Sequence, residues 1–359
     1  MKNILILTGI VLILFSCTKE STEIIDIIDP IVADNANLYL EDLEGEGRLS
    51  ELFADDADMV YLQSEAFAFH INHMLEIKQD TDKKKIVLRN LAPLDFENVK
   101  VLASFPDIDQ EVVILKMDKI KGHTSLVLDY PFDRGVNLFA TASGQIIDLS
   151  ALKGENPKMS FDYDPGDDSS LQKVHAIKSG WRIKFHDFDA SDSEDNNWEE
   201  NMTAHDLRRY TGLMINLAYL FQSPEFKEGV LAENLFGNAL EVKTKEEKLD
   251  FLEEIFNKAK FNCGKVVKVS GLGGGSTFGV AEHVLNGYLS KQSDIGNVPV
   301  HEIAHMLGYS HASNFTYPKK NDQAVNEGLV VVAQRVAKEF FANKSFPVHP
   351  DNYYKRADL

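Results

Sequence analysis

The sequence predicts a multidomain protein. An N-terminal all-β, sandwich-like domain is expected at residues 24–150, a linker at residues 151–170, and a C-terminal α+β domain with a mixed sheet at residues 171–359. The length of 359 residues corresponds to about two domains. Short runs of β-forming residues between turn-rich clusters fill the N-terminal part at the spacing of a β-sandwich. In the C-terminal part, strand and helix patterns alternate instead.

The first residues carry a targeting pattern. Lys2 gives a positive start, and residues 4–15 are an apolar run of twelve. Twelve residues are too few to span a bilayer as a helix and match the core of a signal peptide. The run ends in Leu-Phe-Ser-Cys at residues 14–17, which resembles a bacterial lipobox. The implied segments are a signal peptide at residues 1–16 and a tether at residues 17–23.

The lipobox resemblance implies that Cys17 becomes the lipid-modified first residue of the mature chain. We therefore expect a lipid-anchored protein of the bacterial cell envelope, at the outer membrane, that meets the membrane only through its lipid. An ordinary secretory signal with a chance cysteine is the alternative. The other cysteine, Cys263, then has no partner and is expected to be a buried, inert thiol.

The charge composition bears on which ligands the protein can bind. The net charge of −19 disfavours nucleic acid and anionic membrane surfaces as ligands. Acidic residues cluster at residues 162–168 and again at residues 187–200. Solvated loops are the favoured interpretation of these clusters, and Ca²⁺ binding is the alternative, because the second cluster departs from the EF-hand pattern.

The predicted N-terminal elements are all strands. His70 and His73 lie three residues apart on the first of them, so their side chains should face opposite sides and be structural. The expected strands are residues 67–75, 85–89, 99–104, 112–117 and 125–129.

The predicted C-terminal elements are mixed. Thr244 to Glu247 form a capping box at the start of a helix, and the glycine-rich residues 271–276 predict a flexible connection. The final helix carries an apolar stripe that belongs to the core. The expected strands are residues 181–185, 266–269 and 277–285, and the expected helices are residues 204–221, 245–260, one starting near Asn297 as its cap, and residues 323–341.

One motif carries most of the functional information. His301 and His305 are four residues apart, so on a helix they share a face and can bind one metal ion. Glu302 is about 100° further around and flanks that metal without binding it. Gly308 is suited to end the helix in a left-handed conformation, after which His311 can return as a third ligand. Three neutral imidazoles leave a fourth position for water, as in catalytic zinc sites.

The pattern H-E-x-x-H-x-x-G-x-x-H at residues 301–311 is that of the metzincin metallopeptidases, which this chain therefore resembles. The resemblance implies one catalytic Zn²⁺ and a zincin-like catalytic domain. It also implies that Glu302 is the general base and acid. In metzincins the edge strand before the zinc helix binds the substrate as an added strand. Five residues hold that place in sequence: Thr277, Phe278, Gly279, Val280 and Ala281.

Metzincins also have a tight turn beneath the metal that carries a methionine, often followed two residues later by tyrosine. No methionine follows Met306 in this chain. By spacing, Phe315 stands in the place of that methionine, and Tyr317 in the place of the tyrosine. We expect Phe315 to be an apolar floor beneath the ligands, and Tyr317 to stabilise the oxyanion.

The expected function is a zinc-dependent endopeptidase that acts on a peptide or protein substrate. Two alternatives stay open. One is a non-catalytic cell-surface binding lipoprotein with a zinc-bearing domain, against which the intact Glu302 argues. The other is a zinc hydrolase of a non-peptide substrate.

Overall fold

The computed structural model describes residues 68–120, 122–134, 138–185, 196–199, 202, 204–289 and 294–353. The predicted signal peptide, the tether, the lipidated Cys17 and the acidic residues 187–195 lie outside the described residues and stay predictions. Within the described ranges, no helix has both the length and the apolar character needed to cross a membrane.

The first half of the described chain is built from antiparallel strands. Strands β2, β3 and β6 form one three-stranded sheet in the order β2-β3-β6, and β4, β5 and β9 form another in the order β5-β4-β9. Side chains such as Ile86, Leu88 and Val101 are fully buried in the core of this unit. The strands are β1 (Ala68–His70), β2 (Leu75–Asp80), β3 (Lys85–Asn90), β4 (Phe96–Phe105), β5 (Ile108–Ile120), β6 (Thr124–Asp129), β7 (Leu138–Ala140), β8 (Ile146–Asp148) and β9 (Ser160–Asp164).

Two boundaries differ from the prediction. The expected strand at residues 67–75 is two strands, β1 and β2, separated by a turn that buries Ile71 and Met74, so His70 and His73 do not share a strand. The expected linker at residues 151–170 contains β9, which pairs with β4, and the start of a helix. The ring of Tyr163, inside the acidic run, is buried. Its burial favours packing of this segment against β4 over an extended, solvent-exposed linker.

The second half contains a five-stranded mixed sheet in the order β1-β10-β11-β13-β12. Strands β10, β11 and β13 are parallel, and the outer strands β1 and β12 are antiparallel to their neighbours. Its first strand therefore comes from the segment predicted to belong to the β domain. The added strands are β10 (Arg182–Phe185), β11 (Phe261–Val266), β12 (Gly271–Gly274) and β13 (Thr277–Ala281).

The predicted substrate edge strand is wrong in the structure. Strand β13, which contains Thr277, Phe278, Gly279, Val280 and Ala281, pairs with β11 on one side and β12 on the other. Both sides of β13 are therefore already paired, and a substrate strand cannot be added to it. The edge is β12, the glycine-rich segment predicted to be a flexible connection, and it pairs with β13 from Gly271 to Gly274.

Helices cover the mixed sheet. Thr244 forms the predicted capping box with Glu247, which is confirmed. The last helix starts at Leu329 and not at Gln323, because the preceding residues form a hairpin of β14 (Lys319–Lys320) and β15 (Asn326–Glu327). The helices are α1 (Ser169–His175), α2 (Ala204–Gln222), α3 (Pro224–Ala232), α4 (Lys245–Phe256), α5 (Glu282–Gly287), α6 (Val298–Met306) and α7 (Leu329–Ala342).

The core of this half lies between α2 and the sheet. Tyr210 of α2 is fully buried and donates a 2.7 Å hydrogen bond to the carbonyl oxygen of Phe278. Trp181 is also fully buried, and its indole N–H donates to the carbonyl oxygen of Ile255 at 2.6 Å. Cys263 is a buried free thiol, as predicted. The predicted apolar stripe of α7, Leu329, Val332, Val336 and Phe340, is buried.

Strand β12 packs unusually close to helix α6, and glycine permits this. A Cβ atom at Gly273 would lie 2.1 Å from the carbonyl oxygen of Glu302, and one at Gly271 would lie 2.5 Å from its Oε1. Neither distance is sterically allowed. A Cβ atom at the neighbouring Gly274, by contrast, would meet nothing within 4 Å. The alternating glycines therefore set the distance between the sheet edge and the helix.

We expect Gly273→Ala to lower the free energy of unfolding by about 2 to 3 kcal/mol, because the new methyl group forces β12 away from the backbone of α6. Gly274→Ala is the matched control and should change it by less than about 0.5 kcal/mol. Urea unfolding monitored by circular dichroism gives both values. Equal effects of the two substitutions would contradict the close packing of β12 on α6.

Candidate metal centre

Helix α6 places the first two histidines of the motif together. His301 and His305 project from one face of the helix, with ring centroids 4.6 Å apart. Pro299 lies in the first turn, as predicted, and Asn297 occupies the cap position without a side-chain hydrogen bond. The helix ends before Gly308, whose φ of +86° is the predicted left-handed conformation. The chain reverses there and returns toward the two histidines.

The returning chain brings the third histidine to the other two. The ring of His311 lies 5.3 Å from that of His301 and 4.8 Å from that of His305. One ligand atom from each of the three histidines lies within 4.8 Å of the others. Among the described residues, this is the one group of three or more histidine, cysteine or carboxylate side chains close enough to share a metal ion.

Backbone carbonyls fix the tautomers of two of these rings. Nδ1 of His301 lies 2.9 Å from the carbonyl oxygen of Thr316, and Nδ1 of His305 lies 2.7 Å from that of Tyr309. A carbonyl oxygen only accepts hydrogen bonds, so each Nδ1 carries the proton of the neutral ring. Each Nε2 is then a bare acceptor.

The two bare nitrogens face each other. Nε2 of His301 and Nε2 of His305 are 3.0 Å apart, where two lone pairs repel. A cation between them converts this repulsion into coordination. Two nitrogens bound to one tetrahedral zinc ion lie about 3.3 Å apart, close to the distance found here. The donor set therefore fits a zinc ion, and the carbonyl partners supply the support that metal-binding histidines usually have.

Electrostatics favour the neutral, metal-binding form of the rings. Burial lowers the pKa of His301, and the nearby His305 and His311 lower it further. Burial likewise lowers the pKa of His305, with a further contribution from His311. Protons therefore compete poorly for the nitrogens that would bind the metal.

Glu302 lies beside the histidines without joining them. Its side chain is 7% exposed, and Oε1 is 4.0 Å from Nε2 of His301. Burial raises the pKa of Glu302 to about 7, although a hydrogen bond from the backbone N–H of Gly273 acts in the opposite direction. A carboxyl group with such a pKa is suited to exchange protons near neutral pH.

Tyr317 packs over the site from the solvent side. Its ring centroid is 4.5 Å from that of His301 and 4.7 Å from that of His311, and the side chain is 49% exposed. The phenol therefore lies at the rim of the histidine cluster. This position is compatible with the predicted contact to a substrate oxygen, which stays a prediction.

Phe315 lies in the core beside Tyr309, whose carbonyl oxygen contacts the ring of His305. It is fully buried, stacks on the ring of Tyr309 at 3.9 Å between centroids, and meets the edge of Phe251 at 4.9 Å. Its stacking partner Tyr309 contacts the ring of His305 through its carbonyl oxygen. The next residue in sequence, Thr316, contacts the ring of His301 in the same way. Phe315 thus packs next to the residues whose carbonyl oxygens contact His301 and His305; its role as an apolar floor stays a prediction.

Several supporting residues were missed from the sequence. Ser313 and Asn314 are fully buried in the turn before Phe315. The amide of Asn314 accepts from the backbone N–H of Phe236 and donates to the carbonyl of Asn234, both at 2.8 Å. The polar pair Ser-Asn directly after the motif could have indicated a hydrogen-bonded turn. Its partners could not be predicted, because they lie in a loop about 80 residues earlier in the chain.

A cleft of about 540 Å³ opens beside the three histidines. Strand β12 and the residues before it form one wall, including Val269 and Leu272, and the start of α6 with Val298 forms the other. Glu302 and Tyr317 also line it. An extended chain lying along β12 would therefore pass over the histidines.

The acidic segment predicted as a loop or a calcium site is used partly for structure. Both carboxylate oxygens of Asp168 accept backbone hydrogen bonds, and one of them caps helix α1. Asp164 forms a 2.9 Å ion pair with Lys100. These contacts explain two of the carboxylates without a metal ion.

Three comparisons with known proteins give no match: no protein-family model, no curated protein and no solved structure is similar to this chain. The resemblance to the metzincins therefore rests on the motif and the turn at residues 301–317.

Proposed function

We propose that this protein is a zinc-dependent endopeptidase. The observation that carries the proposal is the pair of bare Nε2 atoms on His301 and His305, 3.0 Å apart, with His311 beside them. Glu302, buried next to His301 yet outside the ligand set, adds the group that hydrolysis requires. A purely structural zinc site has no use for such a carboxyl group.

The chemistry divides between the metal and the chain. When bound, zinc lowers the pKa of a water ligand and polarises the scissile carbonyl group. Glu302 takes the proton from the attacking water and passes it to the nitrogen of the leaving amine. Burial raises the pKa of Glu302, which favours its uptake of the proton from water.

Tyr317 is proposed to stabilise the transition state. Its ring is held against His301 and His311, while about half of its side chain stays open to the cleft. The phenol can donate a hydrogen bond to the negative oxygen that develops on the scissile carbonyl group.

Strand β12 replaces β13 as the proposed substrate-binding edge. The carbonyl oxygen of Ser270 accepts a hydrogen bond from Ala281 of β13. Because successive residues of a strand point their backbone groups in opposite directions, those of Gly271 and Gly273 face away from β13. The N–H of Gly273 donates there to the side chain of Glu302, so the groups proposed to meet a peptide are those of Gly271 and the carbonyl oxygen of Gly273. Among the described residues, no strand pairs with this side of β12, so a peptide can add there as a further strand.

The central test compares the wild-type chain, loaded with zinc, with Glu302→Gln on a diverse peptide library read by mass spectrometry. We expect Glu302→Gln to bind one zinc ion per chain and to lose about 10²- to 10⁴-fold in cleavage rate. Glu253→Gln, on the exposed face of α4, is the control and should behave as wild type.

Each other result has a distinct meaning. Cleavage by Glu302→Gln at the wild-type rate would refute the role of Glu302. Zinc binding without cleavage of any peptide by the wild type would favour the zinc-bearing binding protein. Cleavage of ester or glycan substrates alone would favour a hydrolase of another class.

We expect Tyr317→Phe to lower kcat by about 10- to 100-fold while KM and zinc affinity stay close to wild type, because the lost hydrogen bond exists only in the transition state. Steady-state kinetics with one identified peptide measure this. Tyr219→Phe, on α2, is the control. A rise in KM alone would assign Tyr317 to substrate binding instead.

Pairing along β12 is tested with substrates methylated at one backbone nitrogen at a time. We expect KM to rise about 10-fold where the methyl group removes a donor that faces β12, and to change little at the positions between. Equal tolerance at every position would contradict strand addition.

A further inference from the structure

The loop at residues 234–243, here called the bracing loop, contacts the chain segment that carries the third histidine. It connects α3 to α4 and closes on itself, with Gly237 N donating to Glu241 O at 2.9 Å and Lys243 N donating to Leu235 O at 2.7 Å. Leu240 has a left-handed φ of +65°, which completes the tight turn. Asn238 lies within this turn and is therefore held in a defined position.

The amide of Asn238 spans the start of the returning chain. Its Nδ2 donates to the carbonyl oxygen of Gly308 at 2.9 Å. Its Oδ1 accepts from the backbone N–H of Ser310 at 2.7 Å and from the Ser310 hydroxyl group at 3.1 Å. One side chain thus binds both neighbours of Tyr309 along the chain.

Tyr309 is the residue that orients one ligand. Its carbonyl oxygen accepts from Nδ1 of His305 at 2.7 Å. The clamp formed by Asn238 on Gly308 and Ser310 therefore fixes the carbonyl that sets the orientation and the tautomer of His305.

The third ligand depends on the same clamp more directly. Unlike His301 and His305, the ring of His311 makes no hydrogen bond to the rest of the described chain, and it is exposed. It contacts the rings of His301, His305 and Tyr317. Its position is thus set by these ring contacts and by its backbone, which is held just before it at Ser310 and at its own carbonyl oxygen by Lys319 Nζ at 3.3 Å.

Both backbone polar groups of Ser310 form hydrogen bonds with side chains. Its N–H donates to Asn238, and its carbonyl oxygen accepts from the hydroxyl group of Thr316 at 2.9 Å. The carbonyl oxygen of Thr316 in turn holds His301. The clamp is thereby linked to all three histidines through a short series of hydrogen bonds.

We infer that Asn238 is a positioning residue for the metal site, which holds the Gly308–Ser310 segment so that His305 and His311 converge on one ion. The inference rests on the metal-binding part of the proposed function and not on peptide hydrolysis. It concerns a residue 70 positions before Gly308, which shares no sequence pattern with the motif.

The test compares zinc affinity in the full chain, measured by competition with a chelating dye. We expect Asn238→Ala to weaken zinc binding about 10-fold, since groups that orient metal ligands contribute roughly this much. Asn238→Asp keeps the acceptor for Ser310 but sets a carboxylate oxygen against the carbonyl of Gly308, and should also weaken binding.

Asn234→Ala is the matched control. Asn234 is another exposed asparagine of the bracing loop, but its side-chain amide donates to Glu327 at 3.0 Å. Its contact with Asn314 is made by its backbone carbonyl oxygen, which the substitution keeps. We expect its zinc affinity to stay within about twofold of wild type. The melting temperatures of the metal-free proteins should be alike, because both side chains are exposed and hydrogen bonds there contribute little to stability.

The visible spectrum of the Co²⁺-substituted proteins reports the ligand geometry separately. We expect weaker and shifted d–d bands for Asn238→Ala than for wild type and Asn234→Ala. Wild-type affinity and spectrum in Asn238→Ala, or equal losses in the two alanine variants, would overturn the inference. Failure of the wild type to bind zinc would instead refute the proposed function.

Discussion

The arrangement of the site depends on two hydrogen bonds from histidine rings to backbone carbonyls. Thr316 and Tyr309 each accept the Nδ1 proton of one ring, which leaves the two Nε2 lone pairs 3.0 Å apart. Without these carbonyls the rings could turn or exchange tautomers and relieve the repulsion. With them, both Nε2 atoms are directed at one point, the arrangement that a shared metal ion would require. The geometry of the proposed metal site is thus set by the folded backbone.

A second constraint places the open sheet edge beside those nitrogens. Strand β12 approaches α6 so closely that Gly271 and Gly273 cannot carry a Cβ atom. Glycine weakens a strand because it loses more conformational freedom on folding. Here the same residues let the edge strand β12 lie against Glu302 and beside the three histidines. The two glycines thus make β12 less stable as a strand, but they allow it to pack close to α6.

The sequence predicted correctly those features that depend on residues close together in the chain. The spacing of His301, His305 and Gly308 predicted the ligand face and the end of the helix, because both follow from the geometry of a single helix. The edge strand could not be predicted in the same way. Whether Gly271–Gly274 or Thr277–Ala281 lies outermost depends on which strands pair, and that order is set by contacts between distant segments. Glycine-rich composition then favoured a flexible loop, since intrinsic strand preference gives way to tertiary packing.

The same division explains why the motif alone is an incomplete description of the site. Phe315 stacks on Tyr309 and packs against Phe251 of α4, so the packing next to the histidine turn involves a different helix. Asn314 is bound by Phe236 and Asn234. If residues 301–317 were transplanted to another helix, the histidines would keep their spacing but lose the groups that hold Thr316 and Tyr309 in place. The identity of the proposed ligands is therefore encoded locally, whereas the orientation of their rings depends on contacts with other parts of the C-terminal fold.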